Sequence, residues 1–198
     1  MMIVLGILGL IGYLYLSWRT LRENYQEEDI IAFSWVAILL FLVGGRLSYG
    51  LINWGVWVDN PGAWLEFWRM DEASLIGASG LWMAFVLLIT RDKDWKIWPF
   101  LENSLVSVVF LLMISALILM NWPIVLALVG AIVLTVPMKK KYRSLQWYKS
   151  GRKGFLFFWF SICFWLIFAV ISRLWWTGGI SLLFIVGLFM LGNDKLSK

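Results

Sequence analysis

Histidine is absent from this chain of 198 residues, and cysteine occurs once, at Cys163 inside an apolar run. The usual zinc sites, Ser-His triads and histidine general bases are therefore excluded, together with any disulfide framework or thiol metal cluster. No metal and no cofactor is expected. Charge is also scarce, with Asp, Glu, Lys and Arg at 15% of the residues, whereas soluble domains carry about a quarter. What fills the space is apolar: 62% hydrophobic residues and a mean hydropathy of +0.82. Water is not the main solvent of such a chain. Its 15 Trp and 6 Tyr suit the interfaces of a bilayer. The pI near 9.4 does not point to nucleic acid, because the basic residues fall between apolar runs, where orientation in a membrane accounts for them.

Segments long enough, or nearly so, to cross a bilayer run from Met2 to Trp18, Ile30 to Asn53, Ala73 to Thr90, Phe100 to Met120, Trp122 to Met138, Phe155 to Arg173 and Gly178 to Leu191. The expected fold is an all-α, polytopic bundle of about seven transmembrane helices in a single membrane domain, 1–198. The first segment is read as a helix, not a signal peptide, because no basic residue precedes it and no small-residue cleavage site follows. The seventh, at about fourteen residues, falls short of the usual span of about twenty and is open to a re-entrant or tilted reading. Asn121, Trp122 and Pro123 separate the fourth and fifth segments as a tight hairpin, since proline disfavours a helical residue before it.

Cytoplasmic loops carry the excess of Lys and Arg. With the N-terminus outside and the C-terminus inside, the inner side holds Arg19, Arg22, Arg91, Lys93, Lys96, the seven basic residues from Lys139 to Lys153, Lys195 and Lys198. That is fourteen of the 17. Arg69 and Arg173 fall outside, and Arg46 lies within the second span. The outer loop from Trp54 to Glu72 mixes Trp54, Trp57, Trp64, Phe67 and Trp68 with Asp59, Glu66, Asp71 and Glu72, which places it on the outer interface. The run Lys139 to Lys153, with Tyr142, Trp147 and Tyr148 interleaved, reads as a topology anchor with interfacial aromatics or as a site for anionic lipid.

Arg46 is the most informative residue, because an arginine within a span costs several kcal/mol unless it faces a polar cavity or a partner. Tyr49, Gly50 and Asn53 follow at helical spacing, so one stripe presents a cation, a phenol and an amide. An arginine fork suits phosphate or carboxylate; the alternative is an arginine that snorkels to the outer head groups. Arg173 ends the sixth span before Trp175 and Trp176, as a second head-group ligand or an interfacial anchor. Glu102, Asn103, Ser104 and Ser107 open the fourth span, with Asn103 and Ser107 expected to bond across helices. Gly6, Gly9 and Gly12, Gly44 with Ser48, Ala73 with Gly77, and Gly80 with Ala84 read as close-packing faces.

The stretch from Gly9 to Arg91 resembles the N-terminal half of prolipoprotein diacylglyceryl transferase, the bacterial membrane enzyme that moves a diacylglyceryl group from phosphatidylglycerol onto a lipoprotein cysteine. The segments that carry the likeness are GYLYLSWR (Gly12 to Arg19), VGGRLSYGLIN (Val43 to Asn53), NPGAWLEFWRM (Asn60 to Met70) and ASLIGASG (Ala73 to Gly80). The resemblance implies a multi-pass protein of the bacterial cytoplasmic membrane, lipoprotein biosynthesis as its setting, and phospholipid and prolipoprotein as partners. It implies head-group binding by Arg46, Tyr49, Asn53 and Arg173. The chain departs from the family where Ile76 stands at the place of its essential histidine, and where SALILMNWP (Ser115 to Pro123) replaces its signature of glycine, arginine, asparagines and glutamate. The external head region is reduced to a hairpin.

Two functions follow. One is a lipid-group transferase whose general base would fall to Glu102, Glu66, Asp71 or Tyr49. The other is a non-catalytic lipid-binding or scaffold subunit. A transporter would show repeats or several intramembrane charges, and only Arg46 qualifies. The topology itself is testable: single cysteines at Asp59 and Ser150, in a background without Cys163, are expected to react with an impermeant reagent from opposite sides, and labelling from one side refutes the frame.

Overall fold

A computed structural model describes residues 2–59, 62, 72–142, 145, 148 and 153–192, and their regular structure is helical throughout. The helices are α1 (Met2–Leu21), α2 (Glu27–Ile52), α3 (Trp54–Asp59), α4 (Glu72–Asp92), α5 (Ile97–Ile118), α6 (Trp122–Lys141), α7 (Phe155–Ser172) and α8 (Trp175–Gly192). Six of them are long and apolar enough to cross a membrane, and α4, at 21 residues, covers the third expected span. The chain is a multi-pass membrane protein. Helices are what a hydrocarbon solvent permits, because each backbone N–H and C=O must find its partner within the segment.

The helix ends follow local chemistry. Glu27, Glu28 and Asp29 open α2 and Lys139 to Lys141 close α6, each sign matching its end of the helix dipole. Between α5 and α6, Met120 takes a left-handed φ of 52°, and the Asn121 side chain accepts from the Ile124 N–H at 3.4 Å. Pro123 sits in the first turn of α6, where no intrahelical donor is needed. The seventh span is longer than the fourteen residues expected. Thr177 donates its hydroxyl and its N–H to the Leu174 carbonyl, so helix begins at Trp175, and 18 residues give a length of about 27 Å. A re-entrant element is not required.

By contacts the chain divides into two compact units, Leu14–Ile97 and Met1–Tyr13 with Trp98–Lys198. In the first, α2 and α4 pack antiparallel. Phe33 stacks on Phe85 at 5.4 Å, and nearer the other end of α2 the two backbones touch at Gly44 and Gly77. A Cβ on Gly77 would lie 2.8 Å from the Gly44 carbonyl oxygen, and one on Gly44 would lie 2.8 Å from that of Gly77. Ser48 closes on the same crossing.

In the second unit the first half of α1 runs antiparallel to α5, with Gly9 against Ile114 and Gly12 against Phe110. Gly130 of α6 meets Ile167 of α7, and the Trp159 indole donates to the Leu134 carbonyl. Phe157 and Phe158 of α7 pack on Phe184 of α8. Trp98 at the start of α5 and Tyr142 after α6 both lie at the start of α7, against Phe158 and Phe155 respectively. The Asn121 break is therefore a chain reversal and not a kink. The close-packing expectation fails for Gly6 and Gly80, which have open space where a side chain would go, and Ala84 is exposed; the side chain of Ala73 lies outside the described ones.

Polarity is arranged for lipid. Large apolar side chains face outward, Leu51 at 72% and Leu183 at 73% exposed, while Ser34, Thr90, Ser161 and Ser181 are buried and return their hydroxyls to carbonyls of their own helices. The α2–α4 crossing yields a paired expectation. Gly77→Ala should lower the melting temperature in detergent, with overpacking costing about 1–3 kcal/mol. Gly80→Ala should leave it unchanged or raise it by up to about 1 kcal/mol of stability. Equal effects at the two positions would refute the backbone contact.

Candidate functional site

The residues around Arg46 explain how a guanidinium sits inside a span. Gly44, Gly45 and Gly50 flank it on α2 and are themselves buried, so the helix carries little side-chain bulk where α4 crosses. Arg46 is 4% exposed. It does not reach off the helix toward solvent as a snorkelling side chain does. Its guanidinium carbon lies 5.2 Å from the centre of the Tyr49 ring, one turn on, within the range of a cation–π contact. Asn53 is committed to local structure, since its side-chain amide and its backbone N–H both donate to the Tyr49 carbonyl, at 3.0 and 2.9 Å. It ends α2 and holds Tyr49 in place. The chemistry on offer at Arg46 is that of a planar, permanently charged fork lying beside an aromatic face.

Arg173 belongs to the other unit and has a different setting. It is exposed, forms the C-cap of α7 with φ 58° and ψ 18°, and precedes the exposed Trp175 and Trp176. Those are the surroundings of an interfacial anchor at a helix reversal.

The inner start of α5 departs from expectation. Ser104 and Ser107 bond to carbonyls of their own helix, because a serine hydroxyl reaches back one turn more easily than across a gap. The Asn103 side-chain nitrogen is buried without a hydrogen-bond partner among the described residues. The cross-helix bond is made by Glu102, whose carboxylate accepts the Gly154 N–H at the start of α7. Gly154 has φ 113°, and a side chain there would press on Trp98 and Leu191 at 3.1 Å. Glu102 is thus tied to a structural joint. In the basic run, Lys139, Lys140, Lys141 and Lys153 are exposed, but Tyr142 and Tyr148 are buried against Phe155. These two tyrosines are core and not interfacial, because both rings pack on Phe155 at the start of α7. Trp147, Glu66, Asp71 and most of the Asn60 to Met70 segment lie outside the described residues, as does the side chain of Ile76.

A polar end of the Leu14–Ile97 unit was not anticipated. Lys93 pairs with Asp29 at 3.0 Å, Tyr25 packs on Trp95 with centroids 4.5 Å apart, Arg22 lies over the Trp18 ring at 4.4 Å, and the Trp18 indole donates to Glu27 at 3.1 Å. Of these, Arg22, Tyr25, Asp29, Lys93 and Trp95 line a cavity of about 510 Å³. Burial pushes the Tyr25 phenol above its ordinary pKa. The hydrogen bond that the Lys93 ammonium donates to the Asp29 carboxylate, followed by that carboxylate's charge, raises the Lys93 pKa. The residue types in the two links hinted at this, but only the antiparallel pairing of α2 with α4 brings 22–29 to 93–95. No protein-family model, curated protein or solved structure matches the chain.

The Lys93 shift fixes a pH window. A raised amine pKa stabilises the fold fully below 10.5, the ordinary value, and that contribution is lost as pH rises through the shifted one. Melting curves of the native chain and Lys93→Met should therefore differ most at neutral pH and converge in strongly alkaline buffer. A difference that persists unchanged there would refute the ion pair as its source.

Proposed function

We propose that this protein holds an anionic phospholipid head group at Arg46, near the outer end of α2, with Tyr49 against the guanidinium and Asn53 fixing the helix end. The observation that carries the reading is the burial of Arg46 inside a membrane span, a placement that is costly unless a polar cavity or a partner group faces the guanidinium and that is by default functional. The bias of basic residues puts this end outside and the C-terminus inside. The likeness of Gly9 to Arg91 to prolipoprotein diacylglyceryl transferase supports the same ligand class and a place in the bacterial cytoplasmic membrane. Phosphatidylglycerol is the substrate that likeness suggests, with prolipoprotein as acceptor.

Transfer itself is a different matter. Making a cysteine thiolate while a glycerophosphate leaves calls for a general base, worth typically about a hundredfold to ten-thousandfold, and Ile76 accepts no proton. Loss of a charge-stabilising donor costs about 3 kcal/mol or more, and the arginine and amides of the family signature are replaced here. We therefore favour a lipid-binding relative that does not carry out the standard transfer at an ordinary rate. An active transferase is the second reading, favoured only by the retained Arg46 stripe.

Two measurements separate these. Native mass spectrometry of the purified chain should show phosphatidylglycerol preferred over phosphatidylcholine, and Arg46→Met, which keeps the volume and removes the charge, should weaken that preference about tenfold. Unchanged preference refutes the head-group role. In cells depleted of their own transferase the chain should not restore prolipoprotein lipidation; robust lipidation that Arg46→Ala abolishes would make it an enzyme.

A further inference from the structure

The polar cavity of the Leu14–Ile97 unit lies at the far end of α2 from Arg46, where α1 meets α2 and α4 meets α5. Its volume of about 510 Å³ falls in the range of about 300–1,000 Å³ typical of small-ligand sites. The charges lining it balance, Arg22 and Lys93 against Glu23 and Asp29. Lys93 and Asp29 neutralise each other at 3.0 Å. Arg22 and Glu23 have no ion-pair partner among the described residues. Arg22 is steadied from one side by the Trp18 ring, which leaves its N–H fork for a ligand. Tyr25 and Trp95, in ring contact, make an apolar wall, and the Asn24 and Gln26 amides complete the lining.

We infer that this cavity receives a phosphoethanolamine head group, the phosphodiester on Arg22 and the primary ammonium on Glu23, with the Tyr25–Trp95 wall beside its carbon chain. A purely anionic head group would satisfy Arg22 but leave Glu23 repelling it, since Asp29 is neutralised by Lys93. A purely cationic ligand would meet the reverse. A quaternary ammonium has no N–H to donate to Glu23, and two rings in contact with each other form one wall rather than the aromatic cage that such cations favour. The site sits between the ends of apolar helices, where lipid head groups lie, and by the basic bias this is the cytoplasmic leaflet. Phosphatidylethanolamine is accordingly the source of the ligand, rather than a soluble phosphoethanolamine ester. The site is independent of Arg46.

The test is lipid binding by the purified full chain, read by native mass spectrometry with phosphatidylethanolamine, phosphatidylcholine and phosphatidylglycerol in turn, and with glycerophosphoethanolamine as the soluble arm. Phosphatidylethanolamine should bind about tenfold or more tightly than phosphatidylcholine, the worth of one charge-assisted hydrogen bond. Glu23→Gln should erase that preference, and Arg22→Gln should weaken both lipids about tenfold. Arg19→Gln removes the same charge one turn away and should change neither. Arg22 and Glu23 are exposed, so unaltered melting curves should accompany both variants. Equal binding of the ethanolamine and choline lipids, insensitivity to Glu23→Gln, or phosphatidylglycerol bound as tightly through Arg22 alone would overturn the zwitterion site. Glycerophosphoethanolamine bound as tightly as the lipid would overturn the assignment to the membrane.

Discussion

The contact between the backbones of α2 and α4 at Gly44 and Gly77 is the constraint on which the Leu14–Ile97 unit turns. Without side chains at the crossing, the helices approach until a Cβ on either glycine would press on the other's carbonyl oxygen. In lipid, where apolar burial gives helices no advantage over solvation by acyl chains, such close van der Waals packing is the main source of association. The same run of small residues that permits the approach surrounds Arg46. A helix with bulkier residues at 44, 45 and 50 would have to move apart from α4. The approach also aligns the far ends of the two helices, which is what pairs Asp29 with Lys93 and brings Tyr25 to Trp95.

The second unit uses another device. Its joint at the start of α7 is aromatic and polar at once: Trp98, Tyr142, Tyr148, Phe155 and Phe158 pack there, and Glu102 takes the Gly154 N–H. A carboxylate at a helix start is favoured by the helix dipole and by the donors exposed there. Here it belongs to a neighbouring helix, so one interaction caps α7 and fixes α5 beside it.

Much of the fold was legible from composition, and the reasons are physical. Long apolar runs in a hydrocarbon solvent have only the helix open to them, so the spans and the break at Asn121 to Pro123 emerged within a few residues. The start of α8 did not, because the apolar run was taken from Gly178, and only the bonds from Thr177 to the Leu174 carbonyl show helix beginning at Trp175. Small-residue spacing identified Gly44 and Gly77 but equally suggested Gly6 and Gly80, since spacing does not reveal which face of a helix meets a neighbour. Arg46 stood out as an isolated charge in an apolar run, and its burial agrees with that prominence. Asn53, read as a head-group ligand, was not recognised as the residue that caps α2. The polar end of the same unit escaped notice, because its members are some seventy residues apart along the chain.

The division of α1 between units has a consequence for synthesis. Leu14–Ile97 is continuous in sequence and complete once α4 and its link have left the ribosome. The other unit is not: Gly9 and Gly12 find Ile114 and Phe110 only after about a hundred further residues, which at roughly 5–20 residues per second takes about 5–20 s. During that interval the glycine face of the first helix stands in the bilayer with its own partner not yet made, and the order in which helices enter the membrane sets which neighbour it meets first.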